Sequence, residues 1–429
     1  MKKIVLYSLF VLFFNNYSQV FAGTIRLMQY NLLYYTYHAD YTDCDATTNN
    51  LDLKDYYLKQ LIQYVKPDVF CVNEIGKEEE WANRLLNNVL NQNGISYYAT
   101  IRPVNSWSTI GNRIFYDTRK LTYYNAFYVP TSVININAFK FYFNSPDLVQ
   151  GDTIFITFIV CHLKSGSYDG NETTRYQQTL SLMNRLEGLG KDNYVCSGDF
   201  NSYAAVDSGI ANVLYWPNPN FRFYDPINQL GYWHENETYS LYHTQSTRSG
   251  YEEACFSGGG FDDRFDFILV SPYVYTGEKG VKSINESYRT LGQDGRRFNE
   301  SVISPANNSE PANIITALYK ISDHLPIVMD FEIKTDIPSS IDDRHSAGFF
   351  IDNVVNPIRD KIEITLHASV DENLTFQIFT IEGKLLTQFI KTFPAGIHRF
   401  ENAFNYSAGA YILRVVNAKN QSVVVKLIK

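Results

Sequence analysis

Between Thr24 and about Lys334 the apolar residues of the chain keep changing period. Short apolar or alternating runs bounded by turn-formers predict strands, and apolar residues three and four apart predict helices. TIRLMQYNLL, PDVFCVNEI, NRIFYD, LTYYNAFYV, NAFKFYF, IFITFIVCHL, NYVCSGDF, RFDFILVS and HLPIVMDFEI read as strands. LKDYYLKQLIQYV, KEEEWANRLLNNVL and TTRYQQTLSLMNRLEGL read as helices. Strand–helix units mixed with hairpin-like runs predict an α/β layered sandwich with mixed sheets. The polar stretch KTDIPSSIDDRHSAG has no period and reads as a linker. After it, KIEITLHAS, LTFQIFTIEG, KLLTQFI, GIHRFEN, GAYILRVVN and SVVVKLIK alternate without a helix signal, which predicts a small all-β sandwich.

The first residues follow a different pattern. MKK is a charged start, IVLYSLFVLFF an apolar run, and NNYSQVFA a polar stretch that fits cleavage after Ala22. The apolar run is short for a membrane span, so a soluble, exported mature protein is expected. The expected division is a signal peptide at 1–22, a larger domain at 23–335, a linker at 336–350 and a β-sandwich at 351–429.

Hydrophobic residues at 45% and charged residues at 19% of 429 fit a globular chain of more than one domain. The formal charge of −8 argues against coating nucleic acid by bulk electrostatics. It leaves open an enzyme that neutralises phosphate locally with a divalent cation. Cys71, Cys161 and Cys196 sit in apolar strand-like runs and read as buried fillers. Cys44 and Cys255 lie in loop-like sequence and are the better disulfide candidates.

Polar residues recur where the apolar runs of the larger domain end: Asn31, Glu74, His162, Asp199 with Asn201, Asp266, and Asp323 with His324. Each has a structural alternative. Asn31 could end a strand in a turn, Glu74 could cap a helix, and His162 could be a satisfied core histidine. Asp199 and Asn201 could form an Asx turn, Asp266 could pair with Arg264, and Asp323 could cap a loop. Together they supply two histidines, several carboxylates and two amides, the inventory for metal-assisted phosphodiester hydrolysis. In extended backbone, residues two apart point the same way, so Asp199 and Asn201 should project together, while the adjacent Asp323 and His324 should diverge to two subsites.

QYNLL, VNEIG, HLKSG, GDFNS, DRFDFILVS and SDHLPIV, in that order, resemble the motifs of the endonuclease/exonuclease/phosphatase superfamily. That superfamily includes pancreatic-type deoxyribonuclease and bacterial sphingomyelinases. The resemblance implies a four-layer α/β sandwich, two mixed β-sheets flanked by helices, with the site at one edge. It implies that Glu74 is the principal ligand of a divalent cation, Mg²⁺ with Mn²⁺ or Ca²⁺ as alternatives, helped by Asn31 and Asp323. Asp199 would orient water, and Asn201 would fix it or the phosphate. His324 would meet the phosphate, held in one tautomer by Asp266. His162 would stabilise the pentacovalent state or protonate the leaving oxygen. The carboxylate that often orients this second histidine has no counterpart in NSWSTIGNRIFY, where Asn112 or a backbone carbonyl is the substitute. Arg175 stands where it could meet a substrate phosphate; a solvated residue at a helix start is the alternative.

NPIRDKIEI, FQIFTIEGKLL, AGAYILRVV and VVVKLIK resemble the C-terminal sorting domain of the type IX secretion system, which implies recognition by an outer-membrane translocon. The leading expectation is a secreted, metal-dependent nuclease acting by in-line attack of water, with no obligate protein partner. The alternatives are a phospholipid or sphingomyelin phosphodiesterase, which would want an apolar docking hairpin such as FYVPTSVININAFKFYF, and a non-catalytic surface-binding protein.

Overall fold

The computed structural model describes residues 22–37, 44–104, 108–145, 153–251, 254–334, 349–355, 357–380, 384–418 and 422–429. The expected signal peptide falls outside these residues except for Ala22, which opens the first strand opposite Lys334. Most of the expected linker is likewise outside them.

In the larger module the strands are β1 (Ala22–Tyr35), β2 (Val69–Gly76), β3 (Tyr98–Ile101), β4 (Ile110–Asp117), β5 (Leu121–Val129), β6 (Ile136–Phe143), β7 (Phe155–His162), β8 (Tyr194–Asp199), β9 (Asp266–Val270), β10 (Val281–Thr290) and β11 (Ile327–Lys334). The helices are α1 (Leu51–Val65), α2 (Glu79–Leu85), α3 (Asp169–Leu189), α4 (Ser208–Leu214), α5 (Pro272–Thr276) and α6 (Ala312–Ile321). One sheet has the order β10-β11-β1-β2-β4-β3 and the other β5-β6-β7-β8-β9. Both are mixed: β1 runs parallel to β2 and β7 parallel to β8, while their other neighbours are antiparallel.

The layering follows from which face each strand buries. Ile25, Leu27, Val69, Ile114, Phe139, Phe141, Phe158 and Ile268 belong to one core cluster drawn from both sheets, so the sheets pack face to face. The outer face of the first sheet gives Met28, Tyr30, Phe70 and Val72 to a cluster with α1, α2 and α6. The outer face of the second gives Ile159, Cys196 and Phe267 to a cluster with α3 and α4. The result is the expected four-layer sandwich. Cys71, Cys161 and Cys196 are buried free thiols, as their apolar settings predict.

Strand register already sets out a chemical row. Across the second sheet His162 pairs with Asp199, and Asp199 in turn with Asp266. Across the first, Asn31 pairs with Asn73, the residue before Glu74. The polar ends of both sheets therefore fall at one rim.

The C-terminal module is β12 (Phe349–Val354), β13 (Lys361–Ala368), β14 (Glu372–Thr380), β15 (Leu385–Phe393), β16 (Gly396–Ala403), β17 (Ala410–Val416) and β18 (Ser422–Ile428). Its sheets are β12-β13-β16 and β15-β14-β17-β18, closed over a core that includes Phe349, Ile364, Phe376 and Leu413. β12 begins at Phe349, inside the stretch read as linker, because FFIDNV pairs with β13. Among the described residues no helix is long and apolar enough to cross a membrane.

Candidate active site

The rim is a cavity of about 410 Å³ lined by Leu33, Tyr34, Cys44, Glu74, His162, Ser165, Asp199, Asn201, Gln245, Cys255, Phe256, Ser257, Asp323 and His324. Six of the site residues named from sequence meet there: Glu74, His162, Asp199, Asn201, Asp323 and His324. Asp266 and Asn31 stand directly behind them.

The carboxylates are held from the backbone outward. Glu74 lies near the end of β2 with φ 59°, and Asn201 follows β8 with φ 49°. These are left-handed conformations that a branched or bulky side chain disfavours, and such strain collects at functional sites. Tyr34 N donates to Glu74 Oε2 at 3.2 Å, and Asn31 Nδ2 donates to Glu74 Oε1 at 2.9 Å and to Asp199 Oδ2 at 3.2 Å. Asn31 thus ties the two acids together while its own oxygen accepts from Leu33 N. Asp199 Oδ1 accepts from Asn201 N at 2.9 Å, and Asn201 Nδ2 donates to Leu163 O. Asp199 and Asn201 share a direction, but through this left-handed turn rather than through extended backbone. Gly198 makes the approach of β8 to β7 feasible. A Cβ there would lie 1.8 Å from Cys161 O, and its φ is 147°.

The two histidines differ. His324 Nδ1 lies 2.7 Å from Asp266 Oδ2, and its Nε2 is 3.8 Å from Asp199 Oδ2. Burial by itself would lower the His324 pKa, but the fields of Asp266, Asp199 and Asp323 outweigh it and hold the imidazole well above its ordinary value. Arg264, the other candidate partner of Asp266, pairs with Asp225 instead at 2.8 Å. His162 Nε2 is 3.9 Å from Glu74 Oε1 and 3.7 Å from Asp199 Oδ2. Its Nδ1 is buried without a hydrogen-bond partner among the described residues, and burial pushes its pKa down. Asn112 does not fill the gap. Its oxygen accepts from Asn73, and its nitrogen donates to the carbonyls of Asn135 and Val160. Asp199 is pushed up to about 6 by burial, partly offset by both imidazoles, and burial also raises Glu74.

Asp323 and His324 diverge less than an alternating strand would require. They precede β11 in non-strand backbone, and Gln245 Nε2 touches both, at 3.3 Å from Asp323 Oδ2 and 2.9 Å from His324 Nε2. Asp323 Oδ2 also accepts from Ser257 N at 3.1 Å. Gln245 carries no family-like or strand-end signal, so sequence reasoning missed it. Cys44 and Cys255 form a disulfide, as their loop settings predict, and the bridge lines the cavity.

Arg175 does not face the cavity. It is 1% exposed, and its Nη1 donates to the carbonyls of Lys164 and Gly166 at 2.9 and 2.8 Å. It is a strut behind the His162 loop rather than a phosphate contact. Lys54 was also unforeseen: it is buried on α1, with Nζ donating to the carbonyls of Leu32 and Leu33, and burial lowers its pKa to about 7. It pins the Leu33–Tyr34 turn from which Glu74 is held.

The donor set fits a divalent cation. Ligand atoms of Glu74, His162 and Asp199 lie within 4.8 Å of one another, and Asp323 lines the same cavity. This nearest group differs from the trio read from sequence, in which Asn31 and Asp323 stood beside Glu74. None of the three carboxylates forms an ion pair with a lysine or arginine among the described residues. Buried carboxylates left this way are costly unless a cation joins them. Oxygen-rich donors suit a hard cation.

Among curated proteins nothing matches the chain. Solved structures similar to it include a humanized Danio rerio TDP2 carrying 14 mutations, at 16% identity, covering 72% of this chain and 98% of that one, with a TM-score of 0.44. A Bacteroides thetaiotaomicron endonuclease/exonuclease/phosphatase family protein is similar at 15% identity, covering 73% and 97%, with a TM-score of 0.44. A mannosyl-6-phosphatase of the same organism is similar at 14% identity, covering 72% and 99%, with a TM-score of 0.41. Residues 356–429 match the family described as a secretion system C-terminal sorting domain. The chain is thus similar to solved structures that include an endonuclease/exonuclease/phosphatase family protein, and its C-terminal module matches the secretion system C-terminal sorting domain.

Proposed function

We propose that the larger module is a divalent-metal-dependent phosphoester hydrolase, exported by the type IX route, whose substrates are phosphodiesters of the nucleic-acid type. The observation that carries this reading is the convergence of Glu74, Asp199, Asp323, His162 and His324 on one cavity from two sheets. Glu74 and Asp323, with Asn31 behind, would hold the cation, which when bound supplies Lewis-acid stabilisation of a phosphoryl oxygen.

The remaining steps belong to the protein. Asp199, oriented by Asn201 and Asn31, takes a proton from the attacking water as its oxygen bonds phosphorus. The opposite P–O bond breaks in line, and its electron pair stays on the leaving oxygen. His324, kept protonated by Asp266, is the group able to donate a proton to the ester oxygens. His162, without an orienting acid and with its pKa lowered, acts as a neutral Nε2–H donor that stabilises the pentacovalent state. The acid role therefore moves from His162 to His324. A phosphoryl oxygen arriving at His324 has to displace the Gln245 amide, and with His324 protonated that amide turns its oxygen, not its nitrogen, to the ring Nε2–H.

The lipid reading loses its expected anchor. In the segment read as a docking hairpin, Val129, Ile134, Ile136, Phe139 and Phe141 are core residues, each at most 5% exposed. A binding-only protein would not need an imidazole braced at 2.7 Å by a buried acid.

The test is hydrolysis of bis(p-nitrophenyl) phosphate with Mg²⁺, Mn²⁺ or Ca²⁺, with and without EDTA, for wild type and Glu74→Gln. Metal-dependent release of p-nitrophenol that falls about 100-fold or more in Glu74→Gln supports the reading. Equal rates in EDTA and in the variant would sink it.

A further inference from the structure

The hydrolytic groups lie deep. Asp199 is 2% exposed, Asp323 3%, His324 4%, Asn201 6% and His162 8%. The cavity above them, about 410 Å³, is the size of a small-ligand pocket rather than a groove. To react, a phosphorus atom has to descend among these residues, and only the atoms next to it can follow.

The walls are braced against opening. One contains the Cys44–Cys255 bridge, which joins positions 211 residues apart. Immediately after it, Phe256 stacks on the Arg248 guanidinium at 3.4 Å, and Arg248 also lies 4.3 Å from the Tyr319 ring. Ser257 N donates to Asp323, and Ser246 Oγ donates to Ser257 O at 2.5 Å. The Leu33–Tyr34 turn is held by Lys54, and Asn49 Nδ2 donates to Tyr34 O at 2.7 Å. The disulfide side is therefore anchored to the site itself, through Asp323.

The lining offers positive charge at one point only. Among the described residues it contains no lysine or arginine, so the cation that its three carboxylates would hold and the two imidazoles are what can meet a phosphate. Two buried arginines are engaged elsewhere, Arg175 on loop carbonyls and Arg248 in its aromatic stack. Positive charge at one point serves one phosphate, whereas proteins that track a continuous backbone line its path with cations.

We propose that the pocket takes a phosphate ester end-on, from a strand terminus or a small organic phosphate, and that the Cys44–Cys255 wall excludes the interior of a continuous strand. This rests on the phosphoester hydrolase reading and narrows its substrate. The bridge is a specificity device: it limits what reaches the chemistry.

The experiment compares closed circular single-stranded DNA with a linear oligonucleotide of the same sequence, beside bis(p-nitrophenyl) phosphate, for the full chain with Mg²⁺ or Mn²⁺. Wild type is expected to hydrolyse the small ester, shorten the linear strand from an end, and cut the circle at least about 100-fold more slowly. Hydrolysis of the small ester with both DNAs intact also supports end-on entry and identifies small organic phosphates as the source. The Cys44→Ser/Cys255→Ser double variant should raise the circle-to-linear ratio by about 10-fold, read as a ratio because loss of the bridge also loosens the support of Asp323 and lowers all rates together, and an unchanged ratio overturns the role of the wall. Circle cutting by wild type within about 3-fold of the linear rate overturns the proposal and leaves the hydrolase reading standing. Failure on all three substrates with every metal overturns both.

Discussion

His324 reaches the pocket from the mouth of β11 in the first sheet, and His162 from the end of β7 in the second. Both are more than nine-tenths buried, so burial alone would lower both pKa values. They part company at the far nitrogen. His324 Nδ1 has Asp266 at 2.7 Å and is held well above the ordinary imidazole value. His162 Nδ1 has no partner among the described residues and is pushed below it. The difference teaches that the residue behind an imidazole, more than its depth, decides whether it can act as an acid at neutral pH.

The comparison breaks most sharply at Asp266. Asp266→Asn removes the charge behind His324, and kcat for bis(p-nitrophenyl) phosphate should fall by about 10³-fold. A loss below about 3-fold would mean that His324 needs no counter-charge. His162→Gln keeps an N–H donor and loses only the ring geometry, so its kcat should fall less, by about 10-fold. If His162→Gln is the more damaging of the two, the acid role belongs to His162 after all.

Arg175→Met tests the framework behind the weaker histidine. The half-buried carbonyls of Lys164 and Gly166 lose their donor, at a cost of about 1 kcal/mol of stability in urea unfolding. An unchanged midpoint would show that the strut is redundant.

The smallest effect lies in the pH dependence of folding. The stabilisation from the raised His324 is fully present below the unfolded value of about 6.5 and is lost as pH rises through its folded value. His162 has the opposite sign. Because its folded value is lowered, the unfolded chain takes the proton first, and stability falls as pH drops below about 6.5. His324→Gln should therefore flatten the alkaline side of a Tm-versus-pH curve and His162→Gln the acid side. Both variants flattening the same side would remove the contrast.

Much of the frame was legible in the chain. β1, β2, β7, β8, β9 and β11 carry strong apolar periods, and polar residues at or near their ends line or back the cavity. Elements with weak periods were missed. β10, VKSINESYRT, has a mostly polar, half-exposed face, and α4 and α5 are too short for a helical period to register. α6, ANIITALYKI, was missed although its period is clear. Gln245, Lys54 and Asn73 were invisible for another reason. Each earns its place through a contact to a distant segment: His324 and Asp323 for Gln245, the Leu32 and Leu33 carbonyls for Lys54, and Asn112 and Cys161 O for Asn73. No local pattern encodes such a contact. The misreading of Arg175 has the same origin, since sequence placed it near the histidine loop but not which way it pointed.

By itself the sequence determined most of the segments that become strands and helices, because period and apolar burial are local properties of the chain. It also determined which residue types stand at the strand ends. Only the tertiary structure decided that Asp266 stands behind the Nδ1 of one imidazole and that the Nδ1 of the other has no hydrogen-bond partner among the described residues. It alone decided that Arg175 turns inward and that a disulfide walls the cavity. Those outcomes depend on register and on contacts between segments far apart in the chain, where a shift of one residue would turn every side chain to the opposite face.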